Sequence, residues 1–190
     1  MIVAIEGMDG VGKTTVAKSI QKDLGFTYVK DPLKELFEIE DNHLLRISEK
    51  VFTSASDQLI AWYLGLGDIY ALEKYKDKNV VMDRHILLNY FWNGNESTKE
   101  IFKSQIEIFG KPDLTILLEA SSETRMKRIA NRNINDPDLN KPTMKEYGYD
   151  KLINFLDKYN YNYKVINTDN LSINEVITKA KQIINNYIKC

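Results

Sequence analysis

Short apolar runs alternate with helical patterns along the whole chain. Five runs have the length of a β-strand and lie at residues 2–6, 26–29, 80–82, 114–118 and 165–168. Between them apolar residues recur every three or four positions, as in Val16, Ile20 and Leu24, which precede a helix-ending Gly25. Repeated strand–helix units of this kind predict an α/β protein with a five-stranded parallel sheet and helices on both faces.

The helical stretches carry their own boundary signals. Residues 44–75 form a long stretch that we expect to contain two or more helices, and residues 176–184 carry the apolar face of a final helix. Three helix starts show a Ser or Thr three residues before a Glu, the pattern of a reciprocal cap: Ser97 with Glu100, Thr143 with Glu146, and Ser172 with Glu175. An irregular polar stretch, residues 131–142, contains two prolines.

The composition predicts a soluble globular protein without a polymer partner. The chain has 190 residues, which fits a single domain over residues 1–190. Its 26 Lys and Arg residues nearly balance 27 Asp and Glu residues, so no charge excess favours nucleic acid or an anionic membrane. One cysteine, Cys190, excludes a disulfide framework and a multi-cysteine zinc site. Because there is neither a secretory signal pattern nor an apolar run of about 18 residues, we expect a cytoplasmic protein.

The strongest chemical signal lies between the first strand and the first helix. Gly7, Gly12, Lys13 and Thr14 fit the phosphate-loop pattern of Gly, four residues, then Gly-Lys-Thr. Glycines let backbone amides converge on phosphate oxygens, and the helix that follows directs its positive end at the same place. Lys13 supplies a mobile charge for the outer phosphates. The nucleotide-binding residues predicted here are Gly7, Asp9, Gly10, Val11, Gly12, Lys13, Thr14 and Thr15.

A second motif follows the third strand. Asp83 comes directly after the apolar residues 80–82 and is followed by Arg84 and His85. An Asp in this position completes a magnesium site with the hydroxyl of Thr14. Molecular ATPases usually carry a second acid here to activate water, whereas Arg84 indicates a cation aimed at a phosphate. We expect His85 to pack near the site rather than to act as a base.

Together these motifs resemble those of thymidylate kinases and, more widely, of nucleoside and nucleotide monophosphate kinases. The likeness extends in order over nearly the whole chain and includes residues 111–118 and 125–132. It implies a three-layer P-loop fold with a short lid at about residues 131–142. It also implies ATP and Mg²⁺ as cofactors, a small nucleotide as acceptor, and a homodimer formed through the helices near residues 44–75.

The same resemblance implies roles for individual residues in phosphoryl transfer. Asp9 would hold the sugar of the acceptor, Arg84 would bind its phosphate, and Arg128 and Arg132 would close over ATP from the lid. The two lid arginines are four residues apart and therefore share one helix face. With Arg125 close by, the alternative for this cluster is a solvated basic surface.

The expected base site departs from the family pattern. Thymidylate kinases usually carry an aromatic residue and then an Arg on the helix before the Asp-Arg motif, but residues 54–63 contain no Arg. We expect Asn89 to contact the base edge instead and Trp62 or Trp92 to stack on the base, although helical aromatics more often belong to the core. Asp31 could accept a hydrogen bond from a substrate hydroxyl or a magnesium-bound water, or it could only form the turn before Pro32.

Several function classes fit a phosphate loop, and the motifs rank them. The leading hypothesis is transfer of the ATP γ-phosphoryl group to a deoxynucleoside monophosphate, with dTMP to dTDP first. A deoxynucleoside kinase, which phosphorylates a 5′-hydroxyl, has the same architecture but usually lacks Asp9-Gly10 in the loop. A guanine-nucleotide switch needs Asn-Lys-x-Asp, which residues 140–143 do not match. The complete set of loop and strand-end residues also argues against a non-catalytic nucleotide sensor.

Overall fold

The sheet has the five parallel strands that the sequence predicts. The computed structural model describes residues 1–140 and 148–189. The strands are β1 (Ile2–Gly7), β2 (Thr27–Val29), β3 (Val80–Asp83), β4 (Leu114–Glu119) and β5 (Tyr163–Asn167). Their order across the sheet is β2-β3-β1-β4-β5, and every neighbouring pair is parallel. The last strand begins two residues earlier than the apolar run alone predicted.

The central strand β1 sets the position of the loop that follows it. All six of its residues are buried, because β3 and β4 flank it and helices cover both faces. Its Ile5 is paired with Asp83 of β3, and its Gly7 with Leu118 of β4. The carboxyl ends of three strands therefore meet at one edge of the sheet, where open α/β sheets bind their ligands.

Nine α-helices and one short 3₁₀ helix complete the described part of the chain. They are α1 (Lys13–Leu24), α2 (Pro32–Phe37), α3 (Asp41–Ser54), α4 (Asp57–Tyr75), α5 (Ile86–Asn93), α6 (Lys99–Phe109), α7 (Ser122–Arg132), the 3₁₀ helix Pro137–Asn140, α8 (Tyr149–Lys158) and α9 (Ile173–Lys189). The predicted long stretch near residues 44–75 is thus two helices, α3 and α4. Within these described elements, no helix is both long and apolar enough to cross a membrane.

An aromatic cluster joins α5, α6 and α8 on one side of the sheet. The ring of Phe155 lies at its centre, with ring centroids 4.2 Å from Tyr90, 6.3 Å from Phe102 and 5.9 Å from Tyr161. The Phe102 ring also meets that of Tyr90 edge to face at 5.2 Å. Tilted and edge-to-face contacts of this kind add to the burial of apolar surface and hold α5, which follows Arg84, against the core.

The predicted helix caps have different outcomes. The Ser172 and Glu175 pair is confirmed, because Ser172 N donates to Glu175 Oε2 at 2.8 Å and Glu175 N donates back to Ser172 Oγ at 3.4 Å. The Ser97 cap is wrong: α6 begins at Lys99, and the Ser97 hydroxyl donates to Asn95 Oδ1 instead. The pair at residues 143 and 146 lies outside the described residues.

The buried residue at the start of α6 is Thr98 rather than Ser97. Its hydroxyl donates to Asn93 O at 2.6 Å and accepts from Asn95 N at 2.9 Å, so it fixes the turn between α5 and α6. The side chain is fully buried, which leaves no water to replace these bonds. The spacing of Ser97 and Glu100 favoured the exposed serine because that pattern depends on residue type and carries no information about burial.

Because Thr98 is buried and Ser97 is exposed, substitutions at these two neighbouring positions should have unequal effects on stability. Thr98→Val removes a buried hydroxyl and leaves Asn93 O and Asn95 N without it, so we expect a loss of about 1–3 kcal/mol in the free energy of unfolding. Ser97→Ala should change that free energy by less than about 0.5 kcal/mol, because its hydroxyl is exposed. Urea denaturation of both variants measures the difference, and equal losses would restore the original cap assignment.

Candidate active site

The loop between β1 and α1 has the backbone conformation of a phosphate cradle. Gly7 and Gly10 have φ angles of 138° and 87°, which side chains rarely adopt. A Cβ at Gly7 would also lie 2.3 Å from Leu118 O, and one at Gly10 would lie 2.9 Å from Arg125 O. Helix α1 starts at Lys13 without a side-chain cap in the described structure, so its first amides face the loop. Such amides can bind an anion.

Lys13 is buried in this loop and held by its own backbone. Its Nζ donates to Gly7 O at 2.8 Å and to Met8 O at 2.9 Å, and it lies 3.7 Å from Asp9 Oδ1. The side chain is only 5% exposed. Burial and the positive charge of Arg84 lower the pKa of Lys13 to about 8. The ammonium therefore lies inside the phosphate loop, where a bound phosphate could replace Gly7 O and Met8 O as its hydrogen-bond acceptors.

Thr14 and Asp83 form the oxygen pair that a magnesium ion requires. Asp83 Oδ2 accepts from Thr14 Oγ1 at 2.6 Å and from Tyr28 Oη at 2.9 Å. Its Oδ1 is buried without a hydrogen-bond partner among the described residues. Residues 1–140 and 148–189 contain no cluster of three His, Cys, Asp or Glu side chains suited to a metal. A hydroxyl and a carboxylate fit Mg²⁺ when phosphate and water supply its other ligands.

Arg84 is held in a strained conformation beside Asp9. Its φ angle is 87°, in the left-handed region that non-glycine residues avoid. The guanidinium Nη2 donates to Asp9 Oδ1 at 3.0 Å, and its side chain is 47% exposed. Strain of this kind persists where the surrounding structure over-determines it, as in many ligand-binding sites.

Two cavities meet at this ion pair. A donor-side cavity of about 410 Å³ is lined by the phosphate loop, by the start of α9, and by Arg128 and Arg132 of α7. An acceptor-side cavity of about 540 Å³ opens between the segment after β2 and helices α3, α4 and α5. Asp9 and Arg84 line both cavities. The shared wall brings any ligand of one cavity next to a ligand of the other.

Four residues that lie outside the phosphate loop and the Asp83-Arg84 motif were predicted to contact the acceptor, and three of them line the acceptor-side cavity. Asp31, Asn89 and Trp92 line it, whereas Trp62 lines neither described cavity and is 43% exposed on α4. Asn89 Nδ2 donates to Ala61 O at 3.0 Å, which fixes the orientation of its amide. The rest of the wall is largely apolar, as a base requires.

Both predicted lid arginines line the donor-side cavity, but each contacts the protein. Arg128 donates to Thr168 Oγ1 at 2.8 Å and to Thr168 O at 2.7 Å, and Arg132 forms an ion pair with Asp136. The part of the predicted lid that the structure describes comprises the end of α7 and the 3₁₀ helix, and residues 141–142 lie outside the described range. Contact with a nucleotide would require an exchange of partners.

Sequence reasoning missed two buried charged residues at the site. Arg125 is fully buried beneath Gly10, although its basic neighbours suggested an exposed surface. Its spacing of four from the buried Ile129 could have identified that face of α7. Glu6 is also buried, and its Oε1 accepts from His85 N at 2.9 Å and Leu87 N at 3.1 Å. Nothing in the apolar run of the first strand marked Glu6 for this contact.

His85 is a buried, neutral neighbour of the site, as its position after Arg84 suggested. Neither ring nitrogen has a hydrogen-bond partner among the described residues. Burial lowers the pKa of His85 to about 3, far below its ordinary value of 6.5. A ring that stays neutral throughout the physiological range is unsuited to act as a general base near pH 7.

Two cavities that share one acid and one arginine, one of them lined by a phosphate loop, are typical of a P-loop nucleotide kinase. A sequence model of the thymidylate kinase family matches residues 5–180. The chain therefore belongs to the thymidylate kinase family. This confirms the resemblance drawn from the two motifs and the expected three-layer fold.

Individual relatives agree with this membership. A "Probable thymidylate kinase" from Methanocaldococcus jannaschii is 26% identical over 181 residues, covering 93% of this chain and 91% of that protein. Another from Archaeoglobus fulgidus is 30% identical over 142 residues, or 70% of each chain. Among solved structures, deoxyadenosine kinase from M. mycoides with bound dATP superposes with a TM-score of 0.67, 20% identity and coverage of 97% and 100%. At that identity the likeness shows the fold.

The buried His85 predicts a specific pH dependence of stability. The unfolded chain protonates this residue below pH 6.5 while the folded protein does not, so stability from a neutral His85 is lost as the pH falls from 6.5 towards 3. Between pH 7 and pH 5 the unfolding free energy of the wild type should fall by about 2 kcal/mol more than that of His85→Phe.

Urea denaturation at the two pH values measures this difference. His43→Gln is the matched control, because His43 is exposed on α3. This substitution should leave the pH dependence of the unfolding free energy as it is in the wild type. Parallel pH dependences for the wild type and His85→Phe would contradict the burial of a neutral ring at position 85.

Proposed function

We propose that the protein transfers the γ-phosphoryl group of ATP to the phosphate of a deoxynucleoside monophosphate, with dTMP to dTDP as the first reaction to test. The observation that carries this proposal is the presence of Asp9 and Arg84 in the wall common to both cavities. A triphosphate in the loop and a monophosphate at Arg84 would meet at this wall. Family membership and relatives described as probable thymidylate kinases support the choice of dTMP.

On the donor side the chain offers a full set of phosphate ligands. The amides at the start of α1 and the ammonium of Lys13 would bind the β- and γ-phosphates, with Gly7 O and Met8 O released from Lys13. Thr14 and Asp83 would hold Mg²⁺, which neutralises charge on the phosphates during transfer. The nucleotide would bring a dense negative charge to these groups.

On the acceptor side Arg84 would hold the attacking phosphate. Its present partner, Asp9 Oδ1 at 3.0 Å, is a carboxylate that an acceptor phosphate could displace. Asp9 would then be available to the sugar hydroxyl, the role that the family resemblance implies. Arg128 and Arg132 would exchange Thr168 and Asp136 for ATP oxygens and exclude water from the reacting groups. No covalent intermediate is needed, since transfer depends on positioning and charge neutralisation.

The base would be bound without the usual arginine. Among the lining residues that the structure describes, Arg84 is the only arginine of the acceptor-side cavity. Asn89 and Trp92 remain our candidates for edge contact and stacking, and the predicted stacking role of Trp62 has no support from its position outside the lining. Because the described lining offers no second arginine to a base carbonyl, we expect weaker discrimination in favour of thymine.

The second candidate is a deoxynucleoside kinase, and Asp31 is the observation that favours it. Its carboxylate lines the same cavity as Arg84, where it could accept the proton of a 5′-hydroxyl. The similar solved structures of deoxyadenosine kinase belong to that class of enzyme. The Asp9-Gly10 pair inside the loop favours the monophosphate reaction.

The homodimer implied by the family stays a prediction, as does the cytoplasmic location. Supporting the homodimer, large apolar side chains are exposed along the two helices expected to form the contact. They are Leu45, Ile47 and Phe52 of α3 and Leu59, Trp62 and Leu66 of α4. Residues of this kind in neighbouring exposed positions are typical of interfaces between protein chains.

A coupled assay of ADP release tests the proposal. The purified protein with ATP and Mg²⁺ is offered thymidine, deoxyadenosine, deoxycytidine and deoxyguanosine, and separately their 5′-monophosphates. We expect turnover of monophosphates, dTMP among them, and none of the nucleosides. Turnover confined to nucleosides would establish the second candidate, and the absence of any acceptor would defeat both.

Two variants link the activity to the site. Lys13→Ala and Arg84→Ala should each lower turnover by about 10³-fold or more while the circular dichroism spectrum is unchanged. Lys18→Ala, an exposed lysine on the same helix as Lys13, is the matched control and should retain wild-type rates. A nearly normal rate for either site variant contradicts the assigned roles.

A further inference from the structure

We propose that Glu6 is a positioning residue for Arg84, which it orients by binding the backbone on the far side of that arginine. The inference rests on the proposed function, because it takes Arg84 as the ligand of the acceptor phosphate. Glu6 itself lines neither of the two cavities described above. It is the last side chain of β1 before the phosphate loop, and it is 1% exposed.

The first support is a set of three hydrogen bonds from the segment after β3 to the end of β1. Arg84 N donates to Ile5 O at 3.2 Å. His85 N and Leu87 N donate to Glu6 Oε1 at 2.9 and 3.1 Å. The backbone on both sides of the Arg84 side chain is thereby tied to the strand that carries the phosphate loop. A shift of one segment would be transmitted to the other.

The second support is the beginning of helix α5. His85 occupies its cap position, and in the described structure its side chain accepts no capping hydrogen bond. The carboxylate of Glu6, on strand β1, supplies the missing cap. It accepts from the amide of the cap residue His85 and from that of Leu87, two positions later. An acceptor oxygen at this end of a helix pairs amides that the helix itself leaves without a partner.

The third support is the strained backbone of Arg84. Its φ angle of 87° is unfavourable for an arginine and would relax if the flanking amides were released. A relaxed backbone would point the guanidinium elsewhere and break its 3.0 Å contact with Asp9. Glu6 thus acts on the direction of Arg84 rather than on the substrate.

The burial of this carboxylate is itself costly to the fold. Glu6 Oε2 has no hydrogen-bond partner within the described chain, and burial raises the pKa of Glu6 to about 7. A buried acid with one unpaired oxygen is expected where its hydrogen bonds serve a site.

A double-mutant cycle tests this inference. Glu6→Ala should lower kcat by about 10²-fold and raise the KM for the acceptor, because a displacement of about 1 Å in a positioning group has this effect. The Kd for ATP should stay within about threefold of wild type. In an Arg84→Ala background the same substitution should change kcat by less than about threefold, since its target is already absent.

Two further variants separate positioning from folding. Glu6→Gln keeps an oxygen that can accept both amides, so it should recover at least part of the activity lost in Glu6→Ala. Glu6→Asp keeps the charge but is one methylene too short to hold both amides, so it should lose activity as Glu6→Ala does. If Glu6→Ala does not fold, the double-mutant cycle is measured with Glu6→Asp and Arg84→Ala instead. Glu119→Ala is the matched control, because it removes a partly buried carboxylate at the end of the neighbouring strand β4.

The outcomes distinguish this inference from the proposed function. If Arg84→Ala is inactive but Glu6→Ala is not, or if the two losses multiply, Glu6 does not act through Arg84 and the positioning role is overturned. A loss of equal size in Glu119→Ala would overturn it as well. If Arg84→Ala keeps wild-type activity, the assignment of Arg84 fails first and the proposed function falls with it.

Discussion

The ion pair between Asp9 and Arg84 depends on the parallel alignment of β1 with β3. Ile5 is opposite Asp83, so the phosphate loop and the segment after β3 leave the sheet side by side. That register brings two residues 75 positions apart to 3.0 Å and makes them the common wall of two cavities. A slip of either strand would separate Asp9 from Arg84 and remove the wall that the two cavities share.

Each cation that we assign to phosphate binding contacts an oxygen of the protein itself. Lys13 contacts two loop carbonyls, Arg84 contacts Asp9, Arg128 contacts Thr168, and Arg132 contacts Asp136. These partners pair charges that range from the buried Lys13 to the exposed Arg132, and they carry less negative charge than a triphosphate. Under the proposed function, nucleotide binding would therefore be an exchange of partners at positions already set, which would keep the reorganisation required for transfer small.

Much of the fold and the core of the site could be predicted from the sequence. The phosphate loop and Asp83-Arg84 are local patterns with a fixed chemical purpose, and the strand–helix alternation identified all five strands. The exposure of Trp62 and the contact made by Glu6 could not be predicted in this way. Each depends on which face of an element meets the rest of the chain, and a linear pattern of residue types carries that information only weakly.

The most direct measurement of the central claim is a crystal structure with a non-hydrolysable ATP analogue, Mg²⁺ and the best acceptor of the assay bound together. In that complex we expect the Lys13 ammonium to leave Gly7 O and Met8 O for the outer phosphates of the analogue. We also expect the Arg84 guanidinium to contact the acceptor phosphate within hydrogen-bond distance. A complex in which both ligands are bound while Arg84 faces solvent, or keeps only Asp9 as its partner, would contradict the central claim.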